Sequence, residues 1–527
     1  MTISAIAHPH FMPFAGQDIR SLIVARAVGR ASHPFLLWEP FEGEERSWTY
    51  REFAARVAGV AAGLHGRGVR PGDRVLVHLD NCPEAIFAWF GCAWAGAVAV
   101  TTNANSSVDE LRYFAEHSGV VGAITQPKFA GNVGAVCKGW IAITQTDNGK
   151  DAGTNAPAAD ESFERLNGDP ANIPVRGHDP LAPFAIQYTS GTTSRPKAVL
   201  WTHANALWGA QINALHEDLG ADDVHHITLP LFHTNAQAYS VLATLWAGGS
   251  CVIQPRFSAS RFWPAALKHR CTWASLVPFC VRALADQPVP ERHFFRLWGS
   301  VVCEPPSDAR FRVKTIGWWG MTETITHGIL GSTVLPNRPM SIGRPAPEYQ
   351  IKILREDGSP VSPGETGTLW IKGVRGLSLF AEYCDDPAAT ERAFDAEGYF
   401  DTGDLITLAE DGSLIFADRA KDMLKVGGEN VAASEIERVI LSVPGVREVA
   451  VVGKKHPLYD EVPVAFVLPS LQDGFPSPAF AADIIAVCRE RLAKFKVPRE
   501  VRVVHSLPRS TIEKIAKAEL RKLLELS

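Results

Sequence analysis

The 527-residue chain lacks the features that mark membrane-spanning and nucleic-acid-binding proteins. Its apolar run from Ala85 to Val100 is shorter than the roughly 20 residues that a membrane helix needs, so it predicts a buried helix followed by a buried strand. A net charge of −5 leaves no surplus of lysine and arginine to neutralise a phosphate backbone. This charge balance excludes a nucleic-acid partner held mainly by phosphate contacts, although a small anionic ligand needs only a few local donors.

The sequence also lacks paired cysteines and an N-terminal targeting signal. Its nine cysteines are scattered, with no Cys-x-x-Cys pair and no clustered histidines. This pattern predicts reduced thiols and argues against structural zinc. Residues 1–17 do not show the charged-then-apolar order of a signal peptide. We therefore expect a cytoplasmic protein.

What is present is the composition of a large soluble globular protein, with 46% hydrophobic residues and a length that favours two or more domains. Strand-like and helical patterns alternate to about residue 330, which predicts a mainly parallel α/β arrangement, and polar residues 146–170 predict an exposed connector. Beyond residue 340, short strands separated by turns predict a small antiparallel region. We predict a large N-terminal α/β domain over 1–418, a hinge at 419–422, and a small, mobile α+β C-terminal domain over 423–527.

One polar segment, Tyr188-Thr-Ser-Gly-Thr-Thr-Ser-Arg-Pro-Lys197, has the chemistry of a phosphate-binding loop. Five of its residues carry small hydroxyl groups, a glycine allows close backbone approach, and the closing lysine supplies a positive charge. The order of residues differs from that of a Walker loop, which requires Gly-x-x-x-x-Gly-Lys-Ser/Thr. The segment therefore predicts a site for the phosphates of a nucleotide.

Three further motifs follow in the chain, at Trp318-Trp-Gly-Met-Thr-Glu-Thr324, Tyr399-Phe-Asp-Thr-Gly-Asp-Leu405 and Leu507-Pro-Arg-Ser-Thr-Ile-Glu-Lys-Ile515. With the polar loop, they resemble the motifs of the adenylate-forming superfamily, which includes acyl-CoA synthetases, adenylation domains and luciferases. The resemblance runs from about residue 45 to the end. Within the superfamily, the local sequence is most similar to that of carnitine/crotonobetaine-CoA ligases. This similarity is carried by His78 to Phe87, the polar loop, and Ala493 to Pro498.

The resemblance implies a ligase that uses ATP, Mg²⁺ and CoA in two half-reactions. A carboxylate first attacks the α-phosphate of ATP and releases pyrophosphate, and a thiol then attacks the acyl-adenylate. Glu323 would bind Mg²⁺, and Thr322 would contact the α-phosphate. The residues that would hold the β- and γ-phosphates are Thr189, Ser190, Gly191, Thr192, Thr193 and Lys197.

The same resemblance implies roles for residues elsewhere in the nucleotide site and in the C-terminal domain. Trp319 would stack on adenine, Asp404 would accept hydrogen bonds from the ribose hydroxyls, and Arg419 would add a donor. Lys514 would bridge the substrate carboxylate and the α-phosphate as charge develops there. Rotation about Lys421 would then replace Lys514 by the segment that serves thioester formation, namely Lys425, Gly427, Gly428 and Glu429.

The acid itself is not identified by the sequence. The pocket residues that the resemblance implies suit a planar aryl acid, a short acyl acid, or a trimethylammonium acid held by cation–π contacts; they are His233, Asn235, Trp318, Thr326 and His327. Two residues depart from the usual pattern, since Glu513 precedes Lys514 and Ala198 follows Lys197 where glycine is common. The segment Gly299 to Cys303 also lacks the Gly-Ala-Pro sequence that is usual in the loop beside adenine.

Two alternatives remain at this stage. Glu513 beside Lys514 leaves open an enzyme that passes the adenylate to an acceptor other than CoA, or that activates an unusual oxyacid. A non-catalytic nucleotide-binding regulator is a different class, and the joint presence of Lys197, Glu323 and Lys514 argues against it. The oligomeric state is also open.

Overall fold

The computed structural model describes residues 12–144, 162–189, 196–419, 423–470, 479–508, 515 and 517–525. Within these ranges, no helix combines the length and the apolar character required to cross a membrane.

Fourteen α-helices are numbered along the described chain. Their bounds are α1 Ile19–Gly29, α2 Tyr50–Gly66, α3 Pro83–Ala95, α4 Val108–Ser118, α5 Ala130–Gly134, α6 His203–His216, α7 Ala243–Ala247, α8 Ala259–Lys268, α9 Pro278–Ala285, α10 Ser307–Phe311, α11 Pro387–Arg392, α12 Ala433–Leu441, α13 Phe480–Arg491 and α14 Lys517–Glu525. A π-helix over Asn235–Leu242 precedes α7.

Twenty-five strands are numbered in the same way. Their bounds are β1 Pro34–Trp38, β2 Arg46–Thr49, β3 Arg74–His78, β4 Val98–Thr101, β5 Gly122–Thr125, β6 Trp140–Ile143, β7 Pro183–Thr189, β8 Lys197–Thr202, β9 Val224–Ile227, β10 Ser250–Ile253, β11 Trp273–Ser275, β12 Leu297–Ser300, β13 Lys314–Trp319, β14 Ile329–Leu330, β15 Arg344–Pro345, β16 Gln350–Leu354, β17 Thr366–Lys372, β18 Glu382–Tyr383, β19 Phe400–Leu408, β20 Leu414–Arg419, β21 Met423–Val426, β22 Glu429–Ala432, β23 Val446–His456, β24 Asp460–Pro469 and β25 Glu500–Val503.

Two mixed sheets form most of the N-terminal domain. One has the order β18-β8-β7-β4-β3-β5-β6, in which β7, β4, β3, β5 and β6 are parallel and β8 turns back along β7. The other has the order β15-β14-β13-β12-β11-β9-β10-β1-β2, with a parallel centre from β13 to β1. The parallel α/β arrangement predicted from the sequence is therefore confirmed.

Helices α2 and α3 belong to the large core cluster that both sheets share. Helix α2 begins at a capping box, because Thr49 and Glu52 exchange side-chain and backbone hydrogen bonds as their spacing predicts. The two helices approach closely at Gly91, where a Cβ atom would lie 2.5 Å from Val60 Cγ1. A larger residue at this position would force the helices apart.

The smaller sheets match the short strands separated by turns that the sequence predicts beyond residue 340. Strands β16, β17, β19 and β20 form an antiparallel sheet, and β21 to β25 form a separate five-stranded sheet with α12, α13 and α14 around it. The boundary that we placed at 419–422 remains a prediction, although β20 and β21 belong to different sheets.

The polar connector predicted to be exposed is buried near its end. Residues 145–161 lie outside the described ranges, but the turn Phe163–Leu166 follows them. Phe163 and Leu166 are buried in the main core cluster, and the Leu166 backbone packs against Gly63 of α2. The expectation of an exposed connector is wrong for this part, because two apolar side chains pack into the core among polar neighbours.

Candidate active site

The predicted phosphate loop connects β7 and β8, the two strands of an antiparallel hairpin. Thr189 and Lys197 are register partners across this hairpin, so both ends of the loop emerge side by side. Residues 190–195 lie outside the described ranges, so the roles of Ser190, Gly191, Thr192 and Thr193 remain predictions. The hairpin itself places Lys197 at the start of β8, next to the edge strand β18 of the seven-stranded sheet.

Lys197 and Glu323 are connected through Tyr383, a residue of β18. The Lys197 ammonium lies 4.4 Å from the centre of the Tyr383 ring. The Tyr383 hydroxyl donates a hydrogen bond of 2.9 Å to Glu323 Oε1. Glu323 is only 4% exposed, so its carboxylate is positioned inside the protein by this bond. Burial and the Glu323 charge both raise the pKa of Tyr383, which therefore stays a hydrogen-bond donor.

Thr322 precedes Glu323 and contacts Thr234, the residue before the π-helix. Its hydroxyl is 3.1 Å from the Thr234 hydroxyl, and its carbonyl accepts a 2.8 Å bond from the Trp201 indole. Thr234 also donates to Gln187 of β7. These contacts bring the ends of β7 and β13 together with the π-helix, so Thr322, Glu323 and Lys197 belong to one site.

Trp319 and Asp404 are also neighbours. The Trp319 indole nitrogen donates a 2.8 Å hydrogen bond to Asp404 Oδ2, and both side chains are buried. Asp404 is paired with Arg419 in the backbone register of β19 and β20. The structure thus brings together the three residues expected around adenine and ribose, and Trp319 orients the carboxylate that would receive the ribose hydroxyls.

Two of the residues expected around the acid, Trp318 and His327, form an aromatic cluster with Tyr239. Trp318 stacks on His327 with ring centres 4.3 Å apart, and Tyr239 of the π-helix lies 4.2 Å from the same imidazole. Trp318 also covers Gly299, where a Cβ atom would lie 1.6 Å from the indole. Thr326 faces away from this cluster, because its hydroxyl is 2.6 Å from the Tyr349 hydroxyl in the core.

A carboxyl group lies at the far side of this cluster. Glu217 follows α6, is 0% exposed, and has its Oε1 atom 3.8 Å from His327 Nε2. Neither Glu217 oxygen nor either His327 ring nitrogen has a well-formed hydrogen bond in the part of the chain that the structure describes. Burial raises the pKa of Glu217 well above its usual value and lowers that of His327. Burial therefore disfavours the charged forms of both groups unless an opposite charge lies beside them.

The C-terminal domain reaches the site through the hairpin of β21 and β22. Gly427 and Gly428 have φ values of 60° and 88°, which the tight turn between these strands requires. A Cβ atom on Gly428 would lie 3.2 Å from Val277 of the N-terminal domain. Lys425 lies on the exposed side of β21 with its ammonium 4.9 Å from the Phe416 ring.

Glu429, at the base of this turn, contacts two residues of the N-terminal domain. Its Oε2 atom is 2.7 Å from His233 Nε2 and 3.4 Å from Asn103 Nδ2. Burial lowers the pKa of His233, but the Glu429 carboxylate raises it by more. Asn235 follows on the π-helix with a buried side-chain oxygen that lacks a hydrogen bond within the described ranges.

Lys514 and Lys421 lie outside the described ranges, as does Glu513. Their predicted roles as catalytic lysine, hinge and neighbouring acid therefore remain predictions.

Sequence reasoning missed Tyr383, Tyr239 and Glu217. No local pattern marks them, because each acts on a residue more than fifty positions away. The sequence carries weak signals for two of these residues. Tyr239 lies on the segment after His233, and Glu217 follows an apolar helix pattern with no cationic neighbour at helical spacing.

Comparison with known proteins identifies the family of the chain. A family model described as "AMP-binding enzyme" matches residues 24–384, and one described as "AMP-binding enzyme C-terminal domain" matches residues 435–514. A crotonobetaine/carnitine-CoA ligase from Salmonella paratyphi A is 34% identical over 521 residues, covering 96% of this chain and 99% of that protein. The corresponding ligase of Proteus mirabilis is 33% identical over 92% of this chain and 95% of its own.

Solved structures give the same result. An o-succinylbenzoate CoA synthetase from Bacillus subtilis, a double mutant bound with a product analogue, superposes with a TM-score of 0.78 at 26% identity, covering 95% of this chain and 98% of that one. A fatty acyl CoA synthetase from Mycobacterium tuberculosis superposes with a TM-score of 0.68 at 28% identity, covering 96% and 98%. The chain belongs to the AMP-binding enzyme family.

Proposed function

We propose that this protein is an acid–CoA ligase whose residues act as the site geometry suggests. The reaction has two half-reactions. In the first, a carboxylate oxygen of the acid attacks the α-phosphorus of ATP, and the bond to pyrophosphate breaks. In the second, the thiolate of CoA attacks the acyl carbon of the adenylate, and AMP leaves with the bonding electrons. ATP and CoA are therefore co-substrates, and Mg²⁺ is the metal cofactor.

The observation that carries the proposal is the contact chain from Lys197 through Tyr383 to Glu323. It places a cation and a carboxylate near each other at the end of the β7–β8 hairpin, with Thr322 beside them. In this arrangement Lys197 would neutralise the departing pyrophosphate, and Thr322 would donate to the α-phosphate. Fixed donors aimed at developing charge are among the largest contributions to catalysis.

The donor set of this site fits Mg²⁺. This ion binds few protein carboxylates and completes its shell with water and substrate phosphates, so one buried carboxylate such as Glu323 next to a phosphate site is suitable. When bound, Mg²⁺ supplies charge that stabilises the phosphates during pyrophosphate loss. Tyr383 would hold the Glu323 carboxylate in place for this purpose.

The contact of Glu429 with His233 supports a role for the C-terminal domain in the second half-reaction. The hairpin tip that carries Glu429 lies against the N-terminal domain next to the residues expected around the acid. The chain also superposes better on the synthetase holding a CoA product analogue, at a TM-score of 0.78, than on that enzyme with AMP, at 0.64. We infer that this arrangement serves thioester formation, and that Lys514 serves adenylation in another arrangement reached by rotation near Lys421.

The test measures pyrophosphate and AMP release over a panel of acids, with and without CoA. We expect at least one acid to give CoA-dependent AMP. If adenylate forms but CoA has no effect on AMP release, the non-CoA acceptor replaces the ligase proposal. A Lys514→Ala variant should lose adenylate formation and still convert supplied acyl-adenylate, whereas loss of both steps would contradict the two-arrangement scheme.

The Glu429→Gln variant tests the hairpin separately. It should retain pyrophosphate release and lose most CoA-dependent AMP formation, because His233 then loses its charged partner. Glu410→Gln, at an exposed turn, is the matched control and should change neither step. Equal loss of both steps in Glu429→Gln would assign Glu429 to general stability.

For the acid, we propose a carboxylate with a cationic nitrogen at its far end. The support is the buried Glu217 carboxyl beside the rings of Trp318, Tyr239 and His327, since aromatic faces and a carboxylate together bind quaternary ammonium groups. The relatives named as crotonobetaine/carnitine-CoA ligases favour the same class.

A matched pair of acids tests this assignment. A trimethylammonium butyrate should be activated with a kcat/KM at least about tenfold higher than its neutral isostere, in which carbon replaces nitrogen. Glu217→Gln should remove most of this preference without reducing activity on the isostere. An equal kcat/KM for both acids would reject the cationic substrate and leave the ligase activity unaffected.

We also place the protein in the cytoplasm. All nine cysteines are buried as free thiols, which suits a reducing compartment. Fractionation of the producing cells tests this placement.

A further inference from the structure

The N-terminus of α4 is closed by a capping box whose side chains also contact the C-terminal domain. Glu110 Oε2 accepts a 2.7 Å bond from the Ser107 backbone, and the Ser107 hydroxyl accepts a 3.2 Å bond from the Glu110 backbone. Such a box satisfies the first amide groups of the helix and requires nothing from another domain.

The remaining atoms of the same two side chains reach across the domain interface. The Ser107 hydroxyl donates a 2.8 Å bond to the carbonyl of Arg491, the last residue of α13. The Lys496 ammonium, five residues later, lies 2.5 Å from Glu110 Oε1 and 2.8 Å from Glu435 Oε1. One cap therefore holds two points of the C-terminal domain.

The three charged groups are buried together. Lys496 is 9% exposed, Glu110 8% and Glu435 3%. With both carboxylates ionised the cluster would carry a net negative charge, and burial, together with Glu110, raises the pKa of Glu435 against the effect of Lys496. A buried ion pair that loses one partner is strongly destabilised, so these contacts favour the docked arrangement only while all members are present.

The contributions of the two domains to this cluster differ. Lys496 and Glu435 both belong to the C-terminal domain, so their contact persists wherever that domain lies. Glu110 is the member from the N-terminal domain, and it alone depends on docking. Four residues before Ser107, Asn103 contacts Glu429 of the hairpin that reaches His233. The segment 103–110 therefore contacts the C-terminal domain at two places, namely Arg491 with Lys496 and the hairpin that carries Glu429.

We propose that the α4 capping box is the docking point that holds the C-terminal domain in the arrangement for thioester formation, with Glu110 acting through Lys496 as a positioning residue. This inference rests on the proposed ligase function. It assigns to Glu110 an effect on the second half-reaction alone, because the first is expected to use a different arrangement of the domains.

The test uses Glu110→Gln in the full-length enzyme. Glutamine keeps the acceptor oxygen of the capping box but removes the charge that pairs with Lys496. The matched control is Glu52→Gln, because Glu52 closes the capping box of α2 in the same way, with its Oε2 atom 2.8 Å from the Thr49 amide, and is exposed.

The expected result is a split between the half-reactions. Glu110→Gln should leave ATP–pyrophosphate exchange within about twofold of the wild type and slow single-turnover conversion of acyl-adenylate by CoA about tenfold or more. Glu52→Gln should change neither. Equal rates for Glu110→Gln and wild type in both steps, or equal slowing of both steps, would overturn the inference.

Hydrogen exchange gives a readout that does not require activity. Exchange in residues 103–112 and 488–497 should accelerate in Glu110→Gln relative to Glu52→Gln, while exchange in α2 stays unchanged. Unchanged exchange in both segments would overturn the docking role even in an active enzyme. A wild-type enzyme that forms no adenylate would contradict the proposed function, and exchange would still test docking.

Discussion

Tyr383 lies between the two charged residues at the phosphate end of the site. Its ring faces Lys197 and its hydroxyl binds Glu323, so a single side chain fixes both relative to β18. Burial and Glu323 raise the pKa of Tyr383, which favours the protonated hydroxyl that donates this bond. We propose that Tyr383 orients the Glu323 carboxylate.

Tyr383→Phe should therefore slow adenylate formation while keeping the ring under Lys197. Loss of a hydrogen bond to a charged group is worth about 1.5 to 3 kcal/mol, so we expect pyrophosphate exchange to fall about tenfold or more. The measurement is the exchange rate at saturating acid and ATP, and its dependence on Mg²⁺ concentration.

The control for this variant is Tyr399→Phe. Tyr399 also lies under a lysine, with Lys352 Nζ 4.2 Å from its ring centre, and its hydroxyl is 3.2 Å from the neutral side chain of Gln350 rather than from a carboxylate. Its exchange rate should equal that of the wild type. Equal rates in both variants would show that the Glu323 contact does not contribute to catalysis.

Gly428 is restricted by its backbone and by its neighbour. Gly428→Ala should slow thioester formation more than adenylation, because a Cβ at φ 88° would also press on Val277 at 3.2 Å. Gly364→Ala provides the comparison, since Gly364 has φ 89° and no atom within 4 Å of a Cβ. Both variants should lose about 1 to 2 kcal/mol of stability, and only Gly428→Ala should lose CoA-dependent turnover. Matching turnover in the two variants would contradict a close fit of the hairpin tip.

At the scale of elements, α4 serves two functions with one cap. Its first turn is stabilised by Ser107 and Glu110, and the same residues receive α13 and the turn after it. The groups facing Glu435 in this cluster are Lys496 and Glu110. Because burial and Glu110 raise the pKa of Glu435 to about 7, its proton favours the docked arrangement.

Because protonated Glu435 favours docking, the docked arrangement depends on pH. The raised pKa of Glu435 stabilises this arrangement at low pH, and the stabilisation is lost as the pH rises through about 7. Glu435→Gln cannot ionise, so the ratio of its thioester rate to that of the wild type should rise several-fold between about pH 6 and pH 8.5. Taking the ratio cancels the ionisation of the CoA thiol. A ratio that stays constant with pH would contradict the effect of Glu435 protonation on docking.

At the scale of the whole molecule, the N-terminal domain buries several uncharged histidines. His78, His203, His225 and His226 are all 0% exposed. Burial lowers the pKa of the first three to about 3 and that of His226 to about 4. Unfolding would expose them to water, where they bind protons near pH 6.5.

Acid should therefore destabilise the N-terminal domain. A depressed folded pKa contributes stability above about pH 6.5 that is lost as the pH falls, at about 1.4 kcal/mol per pH unit for each histidine. Thermal melts from pH 7.5 to 4.5 should show a steep fall in Tm. His78→Asn, which cannot titrate, should have a shallower fall, while exposed His65→Asn should match the wild type. Parallel curves for all three proteins would refute this account.

The sequence by itself determined the local features of the fold and the order of the site. Helical spacing and the capping box at Thr49 predict α2, and turn residues mark the change to antiparallel strands. The motifs also indicate which residues belong to one nucleotide site. These features depend on neighbouring residues, so they are present in the sequence pattern.

Only the tertiary structure decided which distant side chains meet. Tyr383 lies 60 positions from Glu323, and Lys496 lies 386 positions from Glu110. The packing of separate sheets and domains brings them together, and no periodicity within one element encodes that packing. The burial that raises the pKa of Glu217 has the same origin. A residue's chemistry is fixed by its type, whereas its charge state and partners are fixed by the elements that enclose it.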